Sequence, residues 1–409
     1  MIGYLVVLSV AALVTFVCTP VAGWISWRIG AIAQPGERAA HSTPTPRLGG
    51  AAMFVGFLAA MAVAWRMEQF HEMFDGSTEP LGVVLGAGAM FAVGALDDVR
   101  EVSPPAKLAG QVFAGSVLSL LGVTMLFFRV PFASNNTIVL STDIAPLVTV
   151  LGVVLMANAL NLIDGLDGLA AGIVIIGGSA LFLYSDRLFK RGFLEGSNVA
   201  PLIAIIAVGV CVGFLPHNFN PARIFMGDAG AMFLGLLMAV PTITIGGRAD
   251  YQYSGQTFFY FAPLFIPVVI LGVPIVDTVF SFFRRVLKRS AFHVADKDHL
   301  HHRLMRLGHG PRRTVVILWL WTALLSSVAL LPTYTNEGNA LVPFVVLALL
   351  IVLYSFFHPT LRTAKEEAEF AEHPLLGDRG DDGGMNDGSV TDDAVIDLDS
   401  RRRAPGQGA

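Results

Sequence analysis

The stretch Asn158-Ala-Leu-Asn-Leu-Ile-Asp-Gly-Leu-Asp-Gly-Leu-Ala-Ala-Gly172 separates two apolar runs, Leu147–Ala157 and Leu169–Tyr184. Its four polar side chains follow one another at intervals of three: Asn158, Asn161, Asp164 and Asp167. A charged side chain at membrane depth costs roughly 2.5–3.5 kcal/mol, so two acids here indicate a function. The spacing makes successive polar residues neighbours on a helix, and the glycines at 165 and 168 predict a break that lets a ligand approach the backbone. A capping turn between two spans is the alternative.

The composition indicates a membrane protein. Of the 409 residues, 54% are hydrophobic and 14% are charged, whereas soluble domains carry about 25% charged residues. Only helices and closed barrels satisfy the backbone in lipid, and the long apolar runs do not alternate. We therefore predict an all-α polytopic membrane protein. Cys18 and Cys211 both lie within predicted spans, so no disulfide framework is indicated.

About eleven transmembrane helices are predicted, the first of them an uncleaved span. They cover residues 3–27, 49–66, 80–96, 107–128, 145–161, 168–185, 199–215, 229–246, 258–283, 314–331 and 340–357. One set of loops holds more than twice as many Lys and Arg residues as the opposite set. This basic set comprises residues 28–48, 97–107, 162–167, 216–228 and 284–313. The positive-inside rule makes it cytoplasmic, with the N-terminus outside and the C-terminus inside.

Two segments outside the spans have a character of their own. Residues 361–409 are rich in Asp and Gly and predict a disordered acidic cytoplasmic tail behind a catalytic domain of residues 1–360. On the outer side, residues 134–143 alternate in polarity and predict a small hairpin.

The predicted cytoplasmic loops carry four further polar motifs. In the first loop, Arg38, His41 and Arg47 stand among prolines and glycines and could converge on phosphate, although an ordinary positive-inside loop also carries arginines. At the end of the third span, Asp97 and Asp98 oppose the helix dipole. A bound cation or a proton-transfer role would relieve this, and capping or solvation is the alternative.

Lys107 begins the next span, so its side chain could lie beside Asp97 and Asp98 at the same cytoplasmic end of the bundle. Asp228 lies between Gly227 and Gly230 just before another apolar run. It is a candidate Mg²⁺ ligand, or alternatively an N-cap.

The last motif is a cluster of histidines beside arginines. Its members are His299, His301, His302, Arg303 and Arg306. Zinc would require Cys or carboxylate partners at ligand spacing, and the predicted cytoplasmic loops contain no Cys. The cluster therefore suits anionic phosphate, or it is a basic loop at the membrane surface.

Together, acids that can bind a divalent cation and bases that can bind phosphate indicate phosphoryl transfer, which depends on positioning and charge stabilisation. The sequence contains no Walker G-x-x-x-x-G-K-[ST] loop, so an ATPase of that kind is not supported.

In order and on one side, these motifs resemble those of the polyprenyl-phosphate N-acetylhexosamine-1-phosphate transferases, in particular the WecA/TagO-like branch. They are Pro35…Arg38…His41…Pro44-x-Pro46-Arg47-x-Gly49-Gly50, Asp97-Asp98, Asn158-x-x-Asn161-x-x-Asp164-Gly-x-Asp167-Gly-Leu-Ala, Phe225-Met-Gly-Asp228-x-Gly230 and His299-x-His301-His302-Arg303. The stretch from Asp296 to Gly310 is similar to actinobacterial members, which implies decaprenyl phosphate as acceptor. The resemblance runs to about Phe357.

The resemblance implies that a membrane polyprenyl phosphate attacks the β-phosphorus of a UDP-N-acetylhexosamine, with UDP-GlcNAc expected, and releases UMP. The lipid-linked product would start a cell-envelope polymer. Mg²⁺ is the family's cofactor, with Mn²⁺ as an alternative. The implied site lies on the cytoplasmic face of the bacterial plasma membrane. No nucleic-acid partner is expected, and a homodimer is compatible with the sequence.

By carry-over of motif positions, the resemblance also implies roles for individual residues. Asp228 would bind Mg²⁺ with Asn161 as second ligand. Asp97 or Asp98 would bind or deprotonate the acceptor phosphate, and Asp164 and Asp167 would line the uridine side. Lys107, His299 and Arg303 would hold the diphosphate. The remaining substrate-binding residues would be Arg38, His41, Arg47, Asn158, His301 and His302. We favour direct attack by the acceptor phosphate, and a covalent aspartyl intermediate is the competing mechanism.

Two other classes of membrane protein fit the sequence less well. An ion-coupled transporter would explain acids and glycines in a broken helix. It also predicts polar residues near midspan and an internal repeat, whereas the motifs here lie at one interface and no convincing repeat is evident. A structural scaffold leaves the five motifs unexplained.

Overall fold

A computed structural model of the protein describes residues 1–34, 43–100, 102–129, 137–194, 197–247, 305, 309–335 and 346–351. Long helices dominate this part of the chain, and one short 3₁₀ turn, Glu68–Phe70, joins the long helix Gly49–Arg66 to the short helix His71–Gly76. The helices are α1 (Ile2–Ile29), α2 (Gly49–Arg66), α3 (His71–Gly76), α4 (Glu79–Arg100), α5 (Pro104–Leu120), α6 (Ile144–Ile163), α7 (Leu169–Lys190), α8 (Ala200–Asn218), α9 (Gly227–Gly246) and α10 (Pro311–Thr335).

Seven helices of the described residues are long and apolar enough to cross a membrane: α1, α2, α4, α6, α7, α8 and α9. The predicted polytopic helical membrane fold is therefore confirmed in kind, while the count of eleven and the orientation of the termini stay predictions. The span predicted at 258–283 lies outside the described residues. Of the span predicted at 340–357, residues 346–351 are described and are helical.

Helix α9 forms the centre of the bundle. Its whole apolar stretch is buried, whereas only 28% of the corresponding stretch of α1 is. It packs against α2, α4, α6, α7 and α8. Around it, α1 contacts α2 and α8, α5 contacts α4 and α6, and α10 contacts α7. Helix α9 is thus the element around which the other described helices are arranged.

Two short antiparallel pairs connect the helices. Strand β1 (Ile32–Ala33) pairs with β2 (Thr45–Pro46), and β3 (Phe127–Arg129) pairs with β4 (Thr137–Val139). Of the hairpin predicted at 134–143, only β4 lies within those residues, and its partner β3 precedes them, so the predicted bounds are wrong. For the same reason the span predicted at 107–128 is wrong in extent. Helix α5 ends at Leu120, and Gly122 turns the chain with a φ of +104°.

The predicted boundary between a catalytic domain of residues 1–360 and a tail of residues 361–409 falls outside the described residues. It stays a prediction.

Candidate active site

The backbone before α9 is tied to the end of the first loop. Phe225 N donates to the Pro46 carbonyl (2.8 Å), Gly49 N to the Phe225 carbonyl (3.0 Å) and Gly50 N to the Met226 carbonyl (2.9 Å). These bonds satisfy backbone groups that would otherwise be unpaired at the start of two helices. The Pro/Gly pattern of the first loop therefore serves to attach α2 to the entry of α9.

Glycines allow three helices to touch at this point. A Cβ on Gly50 would lie 2.7 Å from Gly230 Cα, and a Cβ on Gly94 would lie 2.5 Å from Ala229 Cα. Since real Cβ atoms do not approach other atoms so closely, α2 and α4 contact the first turn of α9 backbone to backbone. The paired glycines of the sequence motif therefore set the distance between these helices.

Asp98 caps α9 from a different helix. Its Oδ1 accepts a hydrogen bond from Asp228 N (2.9 Å), and its Oδ2 accepts one from Ala229 N (3.0 Å). The first N–H groups of a helix have no partner within it, and a carboxylate there is favoured by the dipole. Gly227, with a φ of +68°, leaves room for the Asp98 carboxylate, because a Cβ would collide with it. The capping role that the sequence left open for Asp228 thus belongs to Asp98.

Lys107 bridges two carboxylates. Its Nζ lies 2.6 Å from Asp97 Oδ2 and 2.6 Å from Asp228 Oδ2. The other oxygen of Asp97 accepts a hydrogen bond from Val102 N at 2.7 Å. The Lys107 and Asp228 side chains are 26% and 28% exposed, so a ligand can reach them. The expectation that Lys107 returns to the mouth formed by the acidic pair is therefore confirmed in its geometry.

The opening stretch Asn158–Gly172 breaks between two helices, as its glycines predict. Helix α6 ends at Ile163, and α7 begins at Leu169 after Gly168, which has a φ of +78°. Gly168 N donates to Asn218 Oδ1 (3.0 Å), and the Asn218 amide donates to the Ile224 carbonyl (3.0 Å). The turn is thereby held against the segment that leads to α9.

Asp167 is held by the same segment. Its Oδ2 accepts hydrogen bonds from the Asn220 side chain (2.8 Å) and from Ala222 N (3.0 Å). Arg312, at the start of α10, donates to both oxygens of Asn220 at 3.1 Å. Asn218 and Asn220 lie in the predicted cytoplasmic loop 216–228, ahead of Asp228, and the sequence predicted no role for either. Their position beside His217 and Pro221, among polar residues at a helix end, was the available signal.

Asp164 has a different environment. Burial raises its pKa well above the ordinary value, and the nearby carboxylates of Asp228, Asp98 and Asp167 raise it further. Neither Asp164 nor Asn161 has a side-chain hydrogen bond to any described residue, and both are half-buried. Their oxygens therefore remain available for a ligand.

Asn158 turns toward α5. Its Nδ2 donates to Gln111 Oε1 at 2.7 Å and to the Val154 carbonyl at 2.8 Å. The sequence predicted no role for Gln111, although a lone amide four residues after Lys107 in an apolar helix was a signal for one.

Six predicted site residues lie outside the described residues: Arg38, His41, His299, His301, His302 and Arg303. Arg47 is described, and its charge acts on the Asp98 carboxylate. The structure therefore brings Asp97, Asp98, Lys107 and Asp228 into contact, with Asp164 within electrostatic range of Asp98, Asp228 and Asp167. Asn158 and Asn161 lie in the last turns of α6, just before Asp164.

The donor set fits a hard divalent cation. Carboxylate and amide oxygens of Asp228, Asp164 and Asn161 are the type of ligand that Mg²⁺ takes, and the surplus of acids around Lys107 gives the site negative charge. Among the residues that the structure describes, no three His, Cys, Asp or Glu side chains form a ready cluster for a metal ion. Mg²⁺ commonly uses only one or two carboxylates together with waters and substrate phosphates, so this arrangement is compatible with it.

Comparison with known proteins agrees with this picture. Residues 80–246 match the sequence profile of glycosyl transferase family 4. A decaprenyl-phosphate N-acetylglucosaminephosphotransferase of Mycobacterium leprae (strain TN) is 36% identical over 333 residues, covering 80% of this chain and 83% of the relative. A protein of the same name from Mycolicibacterium smegmatis (strain ATCC 700084 / mc(2)155) is 35% identical over 368 residues, covering 88% and 89%.

A probable undecaprenyl-phosphate N-acetylglucosaminyl 1-phosphate transferase of Bacillus subtilis (strain 168) is 36% identical over 321 residues, covering 78% of this chain and 82% of the relative. The matched family segment contains Asp97, Asp98, Lys107, the stretch 158–172 and Asp228. The resemblance drawn from the motifs is thereby confirmed.

Proposed function

The chain belongs to glycosyl transferase family 4, and on that premise we propose that it transfers N-acetylglucosamine 1-phosphate from UDP-GlcNAc to a membrane polyprenyl phosphate. The observation that supports this most directly is the bridge from Lys107 to Asp97 and Asp228, within reach of a ligand. At the meeting point of the helices, this bridge places an ammonium group that can bind phosphate next to carboxylates that can bind a metal ion. Relatives named for this transfer, at 35–36% identity over most of the chain, favour it over a transporter or a scaffold.

The reaction requires one bond to form and one to break. An oxygen of the acceptor phosphate attacks the β-phosphorus of the nucleotide sugar, and the bond from that phosphorus to the oxygen bridging it to UMP breaks. UMP leaves with the electron pair. Because the acceptor phosphate is already an oxyanion, direct attack does not need a covalent enzyme intermediate.

The geometry favours Asp97 over Asp98 as the acid that meets the acceptor. Both oxygens of Asp98 are engaged by the backbone of α9, whereas Asp97 faces Lys107. When phosphate enters, Lys107 can transfer its ion pair from a carboxylate to the phosphate oxygens and hold the developing charge. We assign Asp98 to positioning of α9. We assign Lys107 to binding the acceptor phosphate and Asp97, beside it, to binding or deprotonating that phosphate.

We propose that Mg²⁺ is held by Asp228 and Asn161, with Asp164 beside them. When bound, the ion would neutralise charge on the diphosphate and the departing UMP. Mn²⁺ offers similar chemistry. Asp167, whose Oδ2 is engaged by Asn220 and Ala222, presents its other oxygen for the uridine side.

The acceptor is a lipid and the donor is water-soluble, so the reaction belongs at a membrane surface. We propose the cytoplasmic face of a bacterial plasma membrane, because the loops that carry the site are the basic set. We propose decaprenyl phosphate as the acceptor, from the names of the mycobacterial relatives and the motif from Asp296 to Gly310. The Bacillus subtilis relative, at the same identity, is named for undecaprenyl phosphate.

The test is UMP release by purified protein supplied with UDP-GlcNAc, polyprenyl phosphate and Mg²⁺. We expect release only when all three are present, and its loss in Asp228→Asn without loss of the folded protein. Asp186→Asn is the matched control, because Asp186 pairs with Lys190 about 25 Å along α7 from the turn. Wild-type protein that releases no UMP while moving a solute across vesicles would refute the proposal, and an active Asp228→Asn would remove this residue from the metal site.

A further inference from the structure

A buried polar contact lies about one helical turn from the charged site formed by Asp97, Lys107 and Asp228. The Gln111 side chain is only 2% exposed. Its Oε1 accepts a hydrogen bond from Asn158 Nδ2 at 2.7 Å, and its Nε2 lies 3.4 Å from Asn158 Oδ1 and 3.2 Å from Met232 Sδ. The amides of Gln111 and Asn158 therefore pair reciprocally across α5 and α6, against a side chain of α9.

Each member of this contact lies one helical turn from a member of the charged site. Residues three or four apart on a helix share a face. The pairs are Gln111 with Lys107 on α5, Met232 with Asp228 on α9, and Asn158 with Asn161 on α6. The contact thus joins the same three helices that carry the proposed lysine and metal-binding positions.

We propose that Gln111 is a positioning residue for the transfer reaction: it fixes the rotation of α5 against α6 and α9, so that Lys107 stands between Asp97 and Asp228. This inference rests on the proposed function. A buried amide pair has a fixed distance and direction, whereas apolar packing tolerates small rotations. Since the Lys107 ammonium contacts both carboxylates at 2.6 Å, a small rotation of α5 would remove one of the two contacts.

The first experiment is Gln111→Leu, which keeps the approximate size and helix propensity of the residue but removes the amide. We expect kcat to fall about 10- to 100-fold, because small misplacement at a distance has effects of this size, while KM for UDP-GlcNAc changes by less than about threefold. A kcat within twofold of wild type would overturn the inference.

The matched control is Thr149→Val in α6, the helix that carries Asn158, the partner of Gln111. The Thr149 hydroxyl is fully buried, donates to the Ala145 carbonyl (2.8 Å) and accepts from Met125 N (2.9 Å), about 14 Å along the helix from Asn158. This variant removes a buried polar group as well, and we expect thermal stability to fall but kcat to stay within twofold of wild type. An equal loss of kcat in both variants would show that Gln111 acts only through stability.

A swap of the two amides tests the pair directly. Gln111→Asn leaves a gap and Asn158→Gln overfills it, so each single variant should lose activity. The double variant restores the summed side-chain length, and we expect its kcat to exceed the product of the two single effects by at least fivefold. Multiplicative losses would contradict a pairing role. Gln111→Asn also covers the case in which Gln111→Leu fails to fold.

A second readout does not depend on catalysis. Acetylation of Lys107 by an amine reagent, followed by peptide mass spectrometry, reports whether the ammonium is still held between its carboxylates. We expect several-fold faster acetylation in Gln111→Leu and the wild-type rate in Thr149→Val. Unchanged acetylation in Gln111→Leu would refute the inference even if the protein proved to have a different activity, whereas absent UMP release by wild type would refute the proposed function alone.

Discussion

At the scale of single residues, the neighbours Asp97 and Asp98 have different surroundings. Successive residues on a helix point about 100° apart, so one faces Lys107 and the other faces the amides of α9. We expect Asp98→Asn to lower the free energy of unfolding by about 1–3 kcal/mol, because a buried backbone donor loses its acceptor. Asp97→Asn keeps an oxygen for Val102 N and leaves Lys107 its contact with Asp228, so it should cost about 1 kcal/mol or less and yet abolish UMP release. Thermal unfolding of both variants in detergent tests this, and a larger destabilisation in Asp97→Asn would reverse the assignment.

Asp164 predicts a pH dependence of stability. Its pKa is raised in the folded protein by burial and by neighbouring carboxylates, so the folded state holds the proton more tightly than the unfolded chain. The free energy of unfolding therefore falls as pH rises from the ordinary aspartate pKa near 3.9 through the raised value. With EDTA present, Asp164→Asn should flatten this decline, whereas Asp75→Asn, at an exposed site, should not. Equal slopes in Asp164→Asn and wild type would contradict the prediction.

The sequence was informative about which residues meet and less so about what each one does. Charge counting and span lengths were enough to place Asp97, Lys107 and Asp228 at the same ends of their spans. The free-energy cost of burying a charge in the membrane makes such residues rare within spans, and they are therefore easy to recognise in the sequence. The division of labour between Asp97 and Asp98 depends on helix rotation against α9, which no local pattern encodes. Gln111 was overlooked because an uncharged amide within an apolar helix gives a weak signal.

At the scale of the elements, helix contacts through glycine predict a position-specific effect within α4. A Cβ on Gly94 would lie 2.5 Å from Ala229 Cα, whereas a Cβ on Gly88 meets only Phe54 Cζ at 3.7 Å. We expect Gly94→Ala to destabilise the protein by about 1–3 kcal/mol through overpacking and to abolish activity by displacing the start of α9. Gly88→Ala should be neutral, or stabilise by up to about 1 kcal/mol. Thermal unfolding and UMP release check both, and similar behaviour of the two variants would count against the backbone contact.

Hydropathy located most described helices but failed at the end of α5. Residues after Leu120 remain largely apolar, so a window of span length continues through Phe127. The chain nevertheless turns at Gly122, and Leu126 N and Phe127 N bond to the Gly247 carbonyl beyond α9. This partner is 120 residues away in sequence, from Phe127 to Gly247. Apolar content therefore identified the burial of the segment and not its backbone conformation.

At the scale of the whole molecule, aromatic residues mark where the helix bundle meets the two membrane surfaces. Trp24 and Trp27 are exposed near the C-terminal end of α1, and Trp65 is exposed near the C-terminal end of α2. Arg28 lies 4.5 Å over the Trp24 ring and Arg66 5.4 Å over the Trp65 ring. Tryptophan is enriched at the interfaces of a bilayer, and arginine near a helix end extends its charge to the interface. Because α1 and α2 are consecutive spans, these two sets belong to opposite surfaces, and the site lies on the side of Trp24.

The orientation of the bundle then decides which compartment supplies the nucleotide sugar. In a background with Cys18→Ala and Cys211→Ala, a cysteine introduced at the exposed Glu72, in the outer set of loops, should react with a membrane-impermeant maleimide in intact cells. A cysteine at the exposed Ser103, beside the site, should react only after permeabilisation. Because UDP-sugars are made in the cytoplasm and do not cross lipid unaided, the opposite labelling pattern would place the site away from its donor. It would overturn both the orientation taken from the basic loops and the proposed cytoplasmic reaction.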